Sequence, residues 1–329
     1  MIEMNQPELT VIIPIRNEQD HIGNLLDDLV RQTLDHSRFE IIIVDGMSED
    51  NTLQVIESYM TQLPNIRIET NPKYRSGPAR NIGANAAIGK WLLFVDGHCH
   101  IPSKNMLESV WKTFSQGAKC ISRPQPLINT EKGRATAIAR TSFLGHHKGS
   151  MIYSYENTEC DPSSAGCGYD KELYLSLGGI DEKFDAAEDL EFNIRVSDKG
   201  IKAHHHRDFT LEYIPRELHK PLFRQLYRYG FGRGLIARKN PKHFSLLSFT
   251  LAIFSITLVV LPFINLTIWG IITGGWILTC GVDAIIAAKS KIWPSVMITL
   301  MIIHLAAGVG YISGLVGGPG WSHTPSKAS

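Results

Sequence analysis

Apolar positions in the first part of the chain come as short unbroken runs separated by stretches with helical spacing. Residues 9–15, 39–44 and 91–95 are such runs, carrying Val11, Ile12, Ile13, Ile41, Ile42, Ile43, Leu92, Leu93 and Phe94. Polar residues bound each one, the pattern of a strand buried on both faces. Between the first two, Ile22, Leu25, Leu26, Leu29 and Val30 fall on one helical face. A second helix carries Leu53, Val55, Ile56 and Tyr59, with Ser48 or Asp50 placed to cap it. A strand over 66–69, a small-residue helix over 79–88, an amphipathic helix over 105–114 and a strand within 117–122 continue the series. Regular alternation of strand and helix predicts an α/β fold with parallel pairing and right-handed crossovers. In such a sheet the C-terminal ends of the strands open on a ligand crevice.

The texture changes after residue 245. Segments 246–264, 266–288 and 292–316 are nearly free of charge, and at about 1.5 Å per residue each is long enough to cross a hydrocarbon core. Pro262 and Asn265 mark the first turn between them, Lys289 and Lys291 the second. Just upstream the chain is basic and aromatic, interleaving Arg216, Arg224, Arg228, Arg233 and Arg238 with Phe223, Tyr227, Tyr229 and Phe231. Leu222, Phe223, Leu226 and Tyr227 share a helical face, which predicts a helix lying on a membrane surface among anionic headgroups. The expected organisation is an α/β domain over 1–214, a basic amphipathic interfacial segment over 215–245, a three-helix membrane domain over 246–316 and a tail over 317–329. The lysines of the second turn place that turn and the basic segment in the cytoplasm by the positive-inside rule, with the C-terminus outside. A multi-pass protein of the cytoplasmic membrane, its first domain in the cytoplasm, is the expected location. Asp283 and His304, inside the apolar segments, are expected to form interhelical hydrogen bonds or to sit near helix ends rather than to line a transport path.

Charge and cysteine content add exclusions. Lys and Arg number 33 against 32 acids, so no excess of positive charge points to nucleic acid. Five cysteines show no close pair with metal-site spacing, and no leader precedes the first strand; both fit a reducing, cytosolic setting for the front of the chain.

Candidate chemistry begins where the run 91–95 stops at Asp96, Gly97 and His98. Side chains two apart on extended backbone point the same way, so Asp96 and His98 are placed to grip one ion; alternatively, Asp96 caps a turn and His98 is simply exposed. This triplet is one of an ordered array: Pro14, Arg16, Asn17 and Glu18 after the first strand, Asp45, Gly46 and Ser48 after the second, then Ala79, Arg80, Asn81 and Gly83. The array resembles the family 2 glycosyltransferases of the GT-A, Rossmann-like fold. The resemblance implies that Pro14, Glu18 and Asp45 line a nucleotide pocket, with Asp45 directed at base or ribose, and that Arg80 and Asp96 lie on the donor side. The family's usual Asp-x-Asp is here Asp96-Gly97-His98, which implies a divalent metal held by Asp96 and His98. An imidazole ligand favours Mn²⁺ over Mg²⁺, which prefers oxygen ligands.

Further along, residues 165–170, 177–184 and 187–191 resemble the acceptor half of the same family. Asp189 is thereby implied as the catalytic base and Glu188 as its positioning neighbour; a cluster of acids at a helix N-terminus is the structural alternative. Gln225, Arg228 and Tyr229 resemble the Gln-x-x-Arg-Trp motif of polymerising members, with Tyr for Trp, which implies diphosphate or acceptor contacts; a plain interfacial anchor explains the same residues. Residues 123–159, with Arg134, Arg140, His146, His147 and Lys148, are expected as a variable surface loop or helix. His204, His205 and His206 are expected as ordinary surface or strand-edge histidines.

The expected function is that of a membrane-anchored inverting glycosyltransferase, most like the succinoglycan-type exopolysaccharide enzymes. It would move a sugar from a nucleotide-diphosphate donor, a UDP-sugar, to a lipid-linked or polysaccharide acceptor. Two other readings stay open at this point: a transferase charging a polyprenyl phosphate, and a non-catalytic nucleotide-sugar-binding membrane subunit.

Overall fold

The computed structural model describes residues 6–145, 150–215 and 219–318; His146, His147, Lys148 and Arg216 fall outside them. In chain order the strands and helices are β1 (Leu9–Ile15), α1 (Ile22–Val30), β2 (Phe39–Asp45), α2 (Thr52–Glu57), β3 (Ile66–Thr70), α3 (Ser76–Ala86), β4 (Trp91–Phe94) and β5 (Cys99–His100). Next come α4 (Met106–Ser115), β6 (Cys120–Ser122), α5 (Arg134–Thr141), β7 (Thr158–Cys160), β8 (Gly166–Asp170), α6 (Lys171–Ser176), α7 (Glu188–Asp198), β9 (Ala203–His205) and β10 (Glu212–Tyr213). Four long helices close the chain: α8 (His219–Lys239), α9 (Leu246–Val260), α10 (Leu266–Ala288) and α11 (Trp293–Val316). The chain divides into two units, the first formed by residues 1–126, 150–183 and 188–213, the second by 127–149, 184–187 and 214–329.

The first unit is built on an eight-stranded sheet of order β3-β2-β1-β4-β8-β6-β9-β7. Strands β3, β2, β1 and β4 are parallel, as the apolar runs predict. Strand β8 runs antiparallel to both β4 and β6, a pairing that needs no crossover helix. Alternate side chains of β1 and β2 point to opposite cores. Leu9, Val11, Ile13 and Ile41 pack with Leu25, Leu26 and Leu29 of α1 and with Met106, Val110 and Phe114 of α4. Ile12, Ile42 and Val44 pack with Ala79 and Ala84 of α3 and with Phe192 and Val196 of α7. Burial on both faces explains why these strands are apolar throughout rather than alternating.

The second unit holds α5 and α8 to α11. Three of its segments, Leu246–Phe263, Leu266–Ala288 and Trp293–Val316, are helices long and apolar enough to cross a membrane. Large apolar side chains such as Ile271, Leu278 and Ile286 are exposed along α10, the surface a lipid environment would cover. The apolar face of α8, read from sequence as lipid-facing, is covered by protein instead: Leu222 and Leu226 pack among Cys280, Ala284, Val296 and Leu300 of α10 and α11. Amphipathic spacing identifies a face that must be buried without naming what covers it. Asp283 and His304 do form hydrogen bonds, but largely to the turn after α5. Asp283 accepts from Ser142 Oγ at 2.7 Å and from the Leu144 amide at 3.1 Å. His304 donates from Nε2 to the Leu144 carbonyl at 3.0 Å and accepts from Trp276 at Nδ1. The α5 region, expected as a variable surface loop or helix, is a helix that exposes Arg134 but packs into this unit, with Ala139 fully buried.

Candidate active site

Pro14 sits inside the central strand, where a missing N–H usually costs a ladder bond. Even-numbered residues of β1 face β4, as the Val95 amide donating to the Ile12 carbonyl shows. The β1–β4 pairing ends at Ile12 and Phe94, so Pro14 lies just beyond it and forfeits nothing. That early divergence opens the sheet at the strand ends. The loops after β1 and β2 are joined there by reciprocal bonds: Ser48 Oγ accepts from the Asn17 amide at 2.9 Å, Asn17 Oδ1 from the Glu49 amide at 2.8 Å, and Thr52 Oγ1 from the Glu18 amide at 2.8 Å. Asn17 and Met47 adopt left-handed backbone at φ 52° and 59° to make these turns. Arg16 stacks on the Tyr74 ring, 4.8 Å from its centroid, which places an aromatic plane beside the same loops.

Asp45, the buried last residue of β2, does cap a turn. Its Oδ1 accepts from Ser48 Oγ at 2.6 Å, and both carboxylate oxygens lie within 3.2 Å of the Ser48 amide. A carboxylate has about four acceptor positions, so these contacts leave capacity for one further donor.

The centre of the site is a guanidinium between two carboxylates. Arg80, on α3, donates to Asp96 Oδ1 at 3.0 Å and to Glu188 Oε1 at 2.6 Å, and Ser76 Oγ donates to the same Glu188 oxygen at 2.7 Å. Burial works against the charge of Arg80, but Asp96, Glu188 and Asp189 outweigh it and raise its pKa further. Burial also raises the pKa of Asp96, yet Arg80, His98 and Arg123 more than reverse this and hold the carboxyl below its usual range. For Glu188 burial prevails, helped by the charge of Asp189 and opposed by Arg80 and Ser76, and its pKa is raised.

Glu188 and Asp189 open α7 side by side but differ in surroundings. Glu188 is buried against Arg80, whereas Asp189 is exposed and accepts from the Leu190 amide at 2.8 Å. The exposed carboxylate is the one a solvent-borne hydroxyl can reach.

Gly97 separates Asp96 from His98 for a reason beyond spacing: a Cβ there would stand 2.7 Å from Ile15 Cγ2 and 3.4 Å from Glu18 Cγ. The close approach lets Glu18 Oε1 meet His98 Nδ1 at 3.0 Å. Glu18, expected to line the nucleotide pocket, thus backs the imidazole. A carboxylate behind a ring nitrogen is the usual support of a metal-ligating histidine, because it fixes the tautomer and leaves Nε2 as the ligand. No group of three or more His, Cys, Asp or Glu side chains is placed to hold a metal among the described residues. Asp96 and His98 supply one carboxylate and one imidazole, donor types that suit a divalent cation.

The histidine run has other uses. His205 is buried, accepts from Ser122 Oγ at Nδ1 (2.8 Å) and donates from Nε2 to the Ser154 carbonyl (2.9 Å). Burial and neighbouring His206 lower its pKa despite the Ser154 carbonyl, keeping it neutral. His204 lies 3.7 Å from Glu159, and His206 accepts from the Asp208 amide.

In the second unit, Gln225 Nε2 donates to the Tyr229 hydroxyl at 3.1 Å along α8. The Arg228 guanidinium, expected as an interfacial anchor or a diphosphate or acceptor contact, donates from Nε to Asp185 Oδ2 at 2.8 Å and from Nη2 to the Asp185 carbonyl at 2.5 Å. Sequence reasoning missed Ser76, Arg123 and the Asp185 contact. The paired charges at 185 and 228 are visible in the sequence, but a separation of 43 positions hides their proximity.

The model of the family described as Glycosyl transferase family 2 matches residues 10–174. The chain is 26% identical over 325 residues to the dolichyl N-acetyl-alpha-D-glucosaminyl phosphate 3-beta-D-2,3-diacetamido-2,3-dideoxy-beta-D-glucuronosyltransferase of Methanococcus voltae, covering 94% of this chain and 98% of that protein. It is also 26% identical over 329 residues to the succinoglycan biosynthesis protein ExoA of Rhizobium meliloti, covering 94% and 96%. Among solved structures, the mannosyltransferase of Pyrobaculum calidifontis in complex with GDP-Man and Mn²⁺ aligns with a TM-score of 0.61 at 16% identity, over 95% of this chain and 88% of that one. At that identity the alignment speaks for the fold alone.

Proposed function

Because the chain belongs to glycosyl transferase family 2, with a GT-A fold and three C-terminal helices of membrane-crossing length, we propose that it is a membrane-anchored inverting transferase moving a sugar from a nucleotide-diphosphate donor to a lipid-linked or polysaccharide acceptor. The observation that carries this reading is the contrast at the start of α7: exposed Asp189 beside a Glu188 held by Arg80, which also holds Asp96. Asp189 takes the proton of the acceptor hydroxyl as its oxygen bonds to the anomeric carbon. The bond from that carbon to phosphate breaks on the opposite face, and the nucleoside diphosphate leaves. Glu188 and Arg80 hold the start of α7 against the donor side. Pro14 and Asp45 line the nucleotide pocket, where the spare acceptor capacity of Asp45 suits a ribose or base donor. The resemblance implies diphosphate or acceptor contacts for Gln225, Arg228 and Tyr229, whereas the bonds of Arg228 to Asp185 support a structural role for that residue.

Asp96 and His98 would hold a divalent cation together with the donor's diphosphate oxygens, and such an ion when bound neutralises charge on the leaving diphosphate. The imidazole favours Mn²⁺ over Mg²⁺. Chelation is expected to remove activity, with Mn²⁺ restoring it at lower concentration than Mg²⁺; equal restoration by both across a titration would argue against His98 as a ligand. The lipid-linked acceptor rests on the dolichyl-phosphate substrate in the name of the Methanococcus relative, and the cytoplasmic placement on Lys289 and Lys291. UDP follows from the family resemblance, while the Pyrobaculum enzyme was solved with GDP-Man.

Membranes containing the protein, offered labelled UDP- and GDP-sugars, are expected to move label from one of them into lipid-extractable or polysaccharide product. Metal-dependent nucleotide-sugar binding with no transfer from any donor would replace the enzyme by a binding subunit.

A further inference from the structure

Glu188 follows directly on residues 184–187, and those four residues belong to the same unit as α8. Three contacts fasten them to it. Arg228 binds Asp185 twice, once through the carboxylate and once through the backbone carbonyl. Lys239 Nζ lies 4.5 Å from the centroid of the buried Phe184 ring. Gly232 lets the helix backbone reach the loop backbone: a Cβ there would stand 2.3 Å from the Ala186 carbonyl oxygen and 2.7 Å from Ala187 Cβ. Ala187 has φ 59°, a left-handed conformation that an alanine keeps only where its surroundings enforce it.

Helix α8 is in turn interlocked with α11. A Cβ on Gly230 or Gly234 would meet the carbonyl oxygens of Ala307 or Tyr311 at 2.3 and 2.2 Å; one on Gly310 or Gly314 would meet those of Tyr227 or Phe231 at 2.1 Å. Both helices thus carry glycines four apart, the spacing that brings two backbones into direct contact. The two run parallel, since 227 and 231 face 310 and 314 in order.

We propose that α8 is a positioning element for the carboxylates of α7: Arg228 and Gly232 hold residues 184–187 in the conformation from which Glu188 and Asp189 emerge, and the glycine interlock makes that hold depend on α11. The inference rests on the reading of Asp189 as the base. It assigns Arg228 to the protein's own Asp185 instead of the donor's diphosphate, and it couples activity to the seating of an apolar helix.

The test is kinetic, on the full-length protein in nanodiscs. Arg228→Met and Asp185→Asn are each expected to lower kcat about 10- to 100-fold, the scale of a misplaced catalytic group, with donor KM and donor Kd within about twofold of wild type. The double variant is expected to lose no more than either single one, as partners in one contact do, and Arg228→Lys to recover part of the loss. Gly310→Leu is expected to lower kcat in the same way; Gly274→Leu on α10, where a Cβ meets nothing within 4 Å, is expected to leave it unchanged. If Gly310→Leu fails to reach the membrane, the Arg228–Asp185 cycle decides alone. Weakened donor binding in Arg228→Met with full activity in Asp185→Asn would overturn the proposal in favour of a diphosphate contact, and additive losses would overturn it as well. An active Asp189→Asn enzyme would instead remove the base assignment, while non-additivity between 185 and 228 would still register their coupling.

Discussion

Asparagine in place of Asp189 is expected to lower kcat by about 10² to 10⁴-fold, the usual contribution of a positioned general base, with donor binding retained. The substitution keeps size and shape and removes only the ability to take a proton. Asp189 is exposed, and the hydrogen bond it accepts from the Leu190 amide is one that an asparagine carbonyl accepts equally well. If the carboxylate served only to complement the positive end of α7, its loss would cost about 0.3–1 kcal/mol of stability and leave turnover intact. The two roles therefore separate in paired measurements: thermal unfolding in detergent nearly unchanged and transfer nearly abolished support the base. Transfer within twofold of wild type, with or without a fall in stability, removes Asp189 from the chemistry. Glu188 makes a poor substitute, since burial and Arg80 keep it from solvent.

How far the sequence discloses this arrangement depends on whether an interaction is local. Strands β1, β2 and β4 are legible because burial on both faces writes an unbroken apolar run, and α1 because its core face repeats every three or four residues. The strands β7, β9 and β10 span only two or three residues, too few for any period. Within the site, Asp45, Asp96 and the pair at 188 and 189 stand out because each ends a strand or starts a helix. What the chain does not announce is who holds them. Glu18 and His98 lie 80 residues apart, and Arg80 and Glu188 lie 108 apart; nothing in either neighbourhood names the other. Helix α8 shows the same limit on a larger scale. Its apolar face was plain in the pattern, but the choice between lipid and α11 as its cover rests on glycines at 230, 234, 310 and 314, a spacing whose meaning appears only when the two helices are side by side.

Arg80 is where the cost of these long-range contacts concentrates, and Arg80→Met is expected to be among the most destabilising single changes in the first unit. The guanidinium is mostly buried and neutralises two carboxylates, those of Asp96 and Glu188. Methionine matches much of its length but supplies neither charge nor donors, so both acids are left in a poorly hydrated setting without a counterion. Removing one partner from a buried ion pair typically costs about 3–5 kcal/mol, whereas replacing the whole set with apolar or neutral groups of similar volume is often close to neutral. The triple variant Arg80→Met, Asp96→Asn, Glu188→Met is accordingly expected to regain most of the lost stability while remaining inactive. Thermal unfolding of the detergent-solubilised protein in the presence of a chelator, so that no added cation replaces the guanidinium, provides the comparison. A single variant as stable as wild type would mean that water, not Arg80, satisfies the two carboxylates. A triple variant no better than the single one would mean that Arg80 stabilises the fold through packing of its aliphatic stem, not through its ion pairs with Asp96 and Glu188.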